Sequence, residues 1–462
     1  MIYSVLSHKG GIFSIMKTIF KLTENNTTIG KEIIGGITSF LAMAYILALN
    51  PSILSDAGMN WNAVFTATAI SAAFATLIMA FIANLPVALA PGLGLNAFFA
   101  YTVVIGMGCS WQIALTAVFI EGIIFILLSL GGIREAIINS IPESLKKAVA
   151  VGIGLFVTIL GLVNAGILSK ETGTFIGYVN FNMANKTAIV ALIGLIITIV
   201  LYILKVPGAV LLGIIITTII GIPFAVTTVP ENFSPIATPS TPHLFEFDFK
   251  GIVINPETQA FSWATLGQFL VILITFLFTD LFDTIGTLLG VTEQGNLKDE
   301  EGNIKNVRGA LLADSIGTVA GACLGTSTVT SFVESSAGVA AGARTGLASV
   351  VTAVLFLFAL LFNPLFALIP SAATAPALIF VGFLMMKSVT SIKFEDPTEG
   401  IPAFLAIITM PFAYSISDGI AWGIISYVIC KVTARKIKEI PIVTWILAII
   451  FTGNIIFEAI KG

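Results

Sequence analysis

Histidine and cysteine are nearly missing from this chain. The two histidines, His8 and His243, stand far apart, so no histidine-based metal site is suggested. The three cysteines, Cys109, Cys323 and Cys430, are odd in number, scattered, and set in or beside apolar segments. They read as packing residues, with neither a disulfide framework nor a metal cluster. Charge is scarce as well. Asp, Glu, Lys and Arg make up 10% of the 462 residues, where a soluble domain carries roughly a quarter. Such a chain cannot keep its surface wet. The net charge of -3 carries no information about partners, and no feature suggests nucleic acid. No nucleophile–base pairing, pore-lining repeat motif or catalytic soluble domain is visible, which argues against a membrane enzyme or channel. A cleaved signal peptide would need a short apolar core and a small-residue cleavage site near the start; neither is seen.

Apolar residues fill the space that charge leaves. They make up 57% of the chain, and mean hydropathy is +1.03. Runs such as Thr187–Leu204 and Val210–Val226 approach the roughly 20 residues that cross a bilayer. An all-α polytopic membrane protein is expected, and 42 glycines suit close packing of its helices. The candidate spans are Ile33–Leu54, Asn62–Ile82, Leu93–Ile105, Ile113–Leu130, Leu145–Leu168, Thr187–Leu204, Val210–Val226, Leu266–Val291, Ala310–Leu324, Ser331–Ala341, Leu347–Leu361, Ile369–Met386, Phe404–Ile416 and Gly419–Val432. A further apolar stretch, Ile442–Phe457, either spans or lies in the interface.

Lys and Arg in short loops stay cytoplasmic. Arg134, Lys146 and Lys147 mark one loop, Lys205 a second, Lys298, Lys305 and Arg308 a third, Lys387 and Lys393 a fourth. Lys431, Arg435, Lys436 and Lys438 follow, and Lys9, Lys17, Lys21 and Lys31 precede the first span. All fall on the side of the N-terminus, which is therefore expected in the cytoplasm. The segment Thr227–Ser262, with Glu231, Glu246, Asp248 and Glu257 against Lys250, falls outside. A faint repeat aligns Ile141–Phe156 with Ile369–Leu384, each the fifth span in a block of seven. A block with an odd number of spans inserts its second copy upside down, as in the inverted repeats of secondary transporters.

Two spans look broken. Pro86, Pro91, Gly92 and Gly94 argue against a continuous helix at the third. The tenth is preceded by GTSTVTSFV, whose Thr and Val favour a strand. Unwound backbone survives in a membrane only inside protein or along a cavity. Broken spans in matching positions point to a transporter's midplane site. The extended partner in span three is expected at Leu93–Leu95, and a half-helix is expected to begin near Glu334. The positive end of that half-helix suits an electron-rich group.

Intramembrane acids are functional candidates by default. Glu334 is one, with an ordinary helix-start carboxylate as the plainer reading. Asp280 and Asp283, three residues apart, share roughly one helix face. Asp418 has a helix N-cap as its alternative role. Glu121 and Asp314 divide evenly between structural and functional readings, and Asn96 between binding a ligand and capping its half-helix. Phe98, Phe99 and Phe332 would stack on a flat ligand or pack. Arg344 is assigned to a loop. Two carboxyl groups enclosed together favour holding a proton between them.

Four segments, Thr38–Leu54, Ala90–Val104, Thr279–Val291 and Gly325–Leu347, closely resemble the azaguanine-type purine permeases. These belong to the nucleobase/ascorbate transporter superfamily, which includes the uracil permease. The resemblance spans essentially the whole chain. It implies two seven-span inverted repeats, about fourteen spans in all, with short strands and half-helices in spans 3 and 10. It implies a cytoplasmic segment 1–31, a core domain in 32–130 and 263–365, and a gate domain in 131–227 and 366–434. An extracellular loop at 228–262 and a C-terminal segment at 435–462 with an apolar helix complete the division. The implied activity is proton-coupled import of adenine, guanine or hypoxanthine across the plasma membrane by elevator-like alternating access. No cofactor is implied, and relatives suggest a homodimer. The implied substrate contacts are Glu334, Asp283, Asn96, Val333, Ser331 and Phe332. Asp283, Asp280 and Glu334 would serve proton coupling, and Asp418 the gate. Thr287 stands where the uracil branch has a histidine, so the proton would reside on a carboxyl group. The alternatives are a uracil or xanthine permease and an anion transporter of the same fold. Glu334 and Asp283 argue against the latter, because they would repel an anion.

Overall fold

The computed structural model describes residues 12–131, 142–169, 177–179, 185–255, 258–295, 297 and 304–461. His8, Lys9, Arg134, Ile141, Glu257 and Lys298, used above, lie outside the described residues. The first half of the chain runs α1 (Ile12–Ile19), α2 (Ile29–Met43), α3 (Ile46–Asp56), α4 (Trp61–Ile78), β1 (Leu89–Pro91), α5 (Leu93–Ala97), α6 (Trp111–Leu130) and α7 (Glu143–Asn164). A short hairpin follows, β2 (Leu168–Ser169) with β3 (Gly177–Tyr178), then α8 (Lys186–Ile203) and α9 (Ala209–Gly221). The second half runs α10 (Trp263–Gly295), α11 (Val307–Leu324), β4 (Val329–Ser331), α12 (Ser335–Ala340), α13 (Gly346–Ala359), α14 (Asn363–Ala367), α15 (Ser371–Met385), α16 (Pro397–Ala413), α17 (Ile416–Thr433) and α18 (Ile442–Lys461).

Among the described residues, 10 helices are long and apolar enough to cross a membrane. The chain is an integral membrane protein. Three shorter apolar helices, Leu93–Gly106, Ala209–Gly221 and Ile442–Gly453, accompany them. Side chains such as Ile196, Ile199 and Ile203 on α8, and Val354 and Phe358 on α13, point outward. In water that would be unfavourable; against lipid tails it costs nothing. Polar caps start the helices where the sequence supplies them. Asn60 Oδ1 accepts the Ala63 N–H, and Ser110 Oγ accepts the Ile113 N–H.

Packing divides the helices into two groups. In one, α2 and α4 pack on α13, α11 packs on α4 and α6, and α12 lies on α2. In the other, α7 packs on α15 and α16, α15 on α8 and α9, and α16 on α17. Thinner contacts join the groups, chiefly from α10 to α7, α17 and α18, from α5 to α7, and from α3 to α15.

Glu32 ties the first group together. Its carboxylate is fully buried. It accepts the Thr27 hydroxyl at 2.7 Å and the backbone N–H groups of Arg344 at 2.8 Å, Thr345 at 3.3 Å and Ala348 at 3.2 Å. Helix N-termini leave such donors open, and a carboxylate meets them well. Arg344 does not pair with it. Its guanidinium donates to the carbonyls of Val339 at 2.7 Å and Ala343 at 2.6 Å, closing the end of α12. Gly338 on α12 lies so close to Gly35 and Ser39 of α2 that a Cβ would collide with both.

Candidate functional site

The two broken spans meet. β1 and β4 pair antiparallel, with Leu89 opposite Ser331, Ala90 opposite Thr330 and Pro91 opposite Val329. The extended stretch of the third span is therefore Leu89–Pro91. The expected position, Leu93–Leu95, is instead the first turn of α5. Pairing with β4 runs one rung past Pro91, where the Gly92 N–H donates to the Thr328 carbonyl at 3.0 Å, and Gly92 takes the extended N-cap position before the helix begins. The tenth span likewise opens on a strand at Val329–Ser331 rather than on helix, and its half-helix starts at Ser335 with Glu334 at the N-cap.

A bare two-stranded ribbon inside a membrane protein would strand its edge groups. Side chains from the adjacent helices satisfy them. Thr76 of α4 accepts the Leu89 N–H at 2.9 Å, and the Thr318 hydroxyl of α11 donates to the Val329 carbonyl at 2.9 Å. Ser335 Oγ accepts the Ala88 N–H at 2.9 Å. Each strand is thus held by a threonine from the helix that precedes it.

The hydroxyls of Thr326–Thr330 are used one by one. Asn50 of α3 donates to Thr326 at 2.8 Å. Ser327 donates to Oδ1 of Asn96 on α5. Thr328 donates to Oε2 of Glu121 on α6 at 2.8 Å. Thr330 and Thr284 of α10 lie 2.7 Å apart, and the Thr284 hydroxyl also reaches Asp314 of α11 at 2.8 Å. The run of small hydroxylated residues is a row of plugs fitted into four helices. All of these side chains are buried.

This placement sorts the candidate residues. Glu334 and Asp283 are half-buried and border an open space. They are close enough to interact electrostatically with each other and with Tyr45. The Glu334 side chain makes no capping hydrogen bond to that half-helix. Its Oε1 accepts the hydroxyl of Tyr45, which immediately precedes α3, at 2.5 Å. Asp283 lies against Gly92: its Oδ2 would be 3.5 Å from a Cβ there. Val333, next to Glu334, is 45% exposed, whereas Phe332 and Ser331 are buried.

The remaining expectations change. Asp280 and Asp283 part company: Asp280 is fully buried, with Thr284 at 3.3 Å, and only Asp283 reaches the gap. Three residues turn an α-helix by about 300°, leaving the two side chains about 60° apart, enough here to divide a packed side from an open one. Asn96 is not the cap of α5, because Gly92 is. Asn96 is fully buried and braces Ser327, with Nδ2 lacking a partner among the described residues, as does Ser331 Oγ. Phe98 and Phe99 are fully enclosed, and Phe98 packs edge-on against Phe276 at 4.7 Å. Asp418 is exposed on α17, in the other packed group; Ser415 caps that helix, accepting the Asp418 N–H at 3.3 Å.

Along α10 the exposure at Asp283 continues in one direction. Gly286, Gly290 and Gln294 follow Asp283 along α10 and are exposed, and a Cβ at either glycine would meet nothing within 4 Å. Toward the start of α10, Phe276 and Thr279 on the same face are buried. Tyr45 is the residue sequence reasoning missed. A tyrosine in an apolar run has the signature of packing, and only its phenol oxygen, sealed inside, betrays another use.

The sequence profile of the Permease family, the xanthine/uracil permeases, matches residues 30–422. The chain is similar to the guanine/hypoxanthine permease PbuG of Bacillus subtilis (strain 168), with 44% identity covering 96% of this chain and 100% of the relative. It is similar to the adenine permease AdeP of Escherichia coli (strain K12), with 39% identity covering 96% of each. Among solved structures, it shares its fold with the transmembrane domain of the cyanobacterium bicarbonate transporter BicA. The TM-score there is 0.63 at 16% identity, covering 84% of this chain and 97% of that domain.

Proposed function

The chain belongs to the xanthine/uracil permease family, and from that premise we propose that it is a proton-coupled symporter importing purine nucleobases of the adenine, guanine and hypoxanthine class. The observation that carries this reading is Glu334, held by the Tyr45 phenol within electrostatic reach of Asp283 beside the β1–β4 ribbon. A purine is flat and neutral, fringed with N–H donors and ring-nitrogen acceptors. Glu334 is a carboxylate with roughly four lone-pair positions, of which one phenol occupies one. It accepts N–H groups from the base. Val333 lines the approach, and Ser331, Phe332 and Asn96 set the walls. Asp283 carries the proton, with Asp280 behind it.

The same reading extends to architecture. Antiparallel pairing of spans three and ten, each strand held by a threonine from its preceding helix, is what a two-fold axis in the membrane plane produces. This supports two seven-span inverted repeats, with a core in 32–130 and 263–365 and a gate in 131–227 and 366–434. The core carries Glu334 and Asp283 past the gate, where Asp418 stands. With the N-terminus, Lys305 and Arg308 in the cytoplasm, the open side at Gly290 and Gln294 faces inward. A homodimer through the gate groups would leave the cores free to move.

The test is uptake of labelled hypoxanthine into proteoliposomes with and without an inward proton gradient, challenged by purines and by uracil. Accumulation is expected only with the gradient, with strong inhibition by purines and weak inhibition by uracil. Equal competition by uracil would move the chain to the pyrimidine branch. An anion substrate would face two carboxylates.

A further inference from the structure

We propose that the chain carries a second nucleobase-binding site, in a cavity of about 550 Å³ where α3 and α7 end. The idea rests on the central site being a nucleobase site and adds a separate place where the same ligand stops. The cavity falls within the roughly 300–1,000 Å³ of small-molecule sites. Its polar and aromatic lining comes from both packed groups: Asp56, Trp61 and Asn62 from one, Asn164, Ser371 and Thr374 from the other.

The cavity repeats the recognition unit of the central site. There Tyr45 donates to Glu334 at 2.5 Å; here Tyr101 donates to Oδ2 of Asp56 at 2.7 Å. In both places a buried phenol props a carboxylate and leaves most of its acceptor capacity unused. Asp56 is exposed to the cavity and is the one charged side chain among its described lining residues. Asn164 donates to the Tyr101 oxygen at 3.4 Å, so the phenol bridges the two groups of helices. Trp61 supplies a flat wall, held by stacking on Phe65 at 5.5 Å and by its indole N–H toward Ser52 at 3.5 Å. A carboxylate acceptor, a primary amide that both donates and accepts, and a rigid aromatic face together fit a planar, neutral heterocycle with N–H groups.

The two sites share one face of α3. Tyr45, Leu49, Ile53 and Asp56 recur at helical spacing, and eleven residues at 1.5 Å each separate the ends by about 16 Å. Leu49 and Ile53 are buried between them. The cavity is therefore a distinct stop, closed off from the central carboxylates by an apolar plug. With the central gap open to the opposite side, a base arriving at Asp56 waits there until α3 and α15 separate.

The experiment is photolabelling of the full-length protein in lipid nanodiscs with 8-azidoadenine, followed by peptide mapping, with and without excess hypoxanthine. Two hypoxanthine-protected labels are expected, one near Glu334 and one on the peptide containing Asp56 and Trp61. Asp56→Asn is expected to lower the second label about tenfold and spare the first. Glu334→Gln is expected to do the reverse, and Asn164→Ala serves as a second variant for the outer cavity. Protected label near Glu334 alone would overturn the second site and leave the transport reading standing. Outer label that hypoxanthine does not displace would also overturn it. Absence of protected label anywhere would remove both.

Discussion

The phenol of Tyr45 and the carboxylate of Glu334 meet at 2.5 Å, although 289 positions separate them in the chain. The contact fixes which way the carboxylate points before any ligand arrives. Replacing Glu334 by Gln keeps its shape and removes its charge. A hydrogen bond to a charged group contributes about 1.5–3 kcal/mol, so hypoxanthine affinity is expected to fall roughly tenfold to a hundredfold. Tyr45→Phe keeps the packing and releases the carboxylate, with a smaller loss expected. Equilibrium binding to purified protein checks both, and wild-type affinity in Glu334→Gln would end the assignment.

Asp283 is expected to separate binding from accumulation. Asp283→Asn should bind hypoxanthine nearly as well as wild type while failing to concentrate it against a gradient. Exchange of internal for external base should persist. Counterflow and gradient-driven uptake, measured on the same vesicles, make the comparison. Normal accumulation would place the proton elsewhere.

Gly92 is expected to tolerate no side chain. A Cβ there would lie 2.6 Å from Cγ2 of Thr330 and 3.5 Å from Oδ2 of Asp283. Overpacking of this kind costs about 1–3 kcal/mol, and the groups that must yield belong to the site itself. Gly92→Ala is expected to reach the membrane, melt earlier and transport poorly. Unchanged uptake would show that the ribbon and Asp283 are not held in the register described.

Glu32 is expected to matter for stability and not for substrate choice. Glu32→Ala would orphan buried donors at Arg344, Thr345 and Ala348, each at a cost of about 1–3 kcal/mol. Glu32→Gln keeps an acceptor and should lose roughly half as much. Thermal unfolding followed by size-exclusion chromatography in detergent reads the difference. Equal stability of the Ala variant and wild type would refute the clasp.

Composition and hydropathy were enough to read a polytopic helical chain, and Pro91, Gly92 and the TSTVT run marked the broken spans, because backbone breakers act locally. Partners across the fold left no such mark. Nothing near Glu32 in sequence announces donors more than 300 positions away. Asn96 reads in sequence as a ligand contact or a helix cap, yet its Oδ1 accepts the hydroxyl of Ser327 from the other half of the chain. The strand lies four residues before its expected place: cross-strand bonding ends at the Gly92 N–H, and Leu93–Leu95, equally apolar, join the helix that Gly92 opens. Phe98 and Phe99 show the same ambiguity from the other side: an aromatic ring that packs and one that stacks on a ligand are identical in sequence.

The plugs that seat Thr326, Ser327 and Thr328 have a consequence for biogenesis. Their partners Asn50, Asn96 and Glu121 are made 276, 231 and 207 residues earlier. At about 5–20 residues per second of synthesis, these polar side chains wait roughly ten seconds to a minute in an apolar surrounding before their counterparts exist. The nascent first half therefore completes these three contacts only late in synthesis, and a ribosome stalled before residue 326 would leave a fragment that lacks all three.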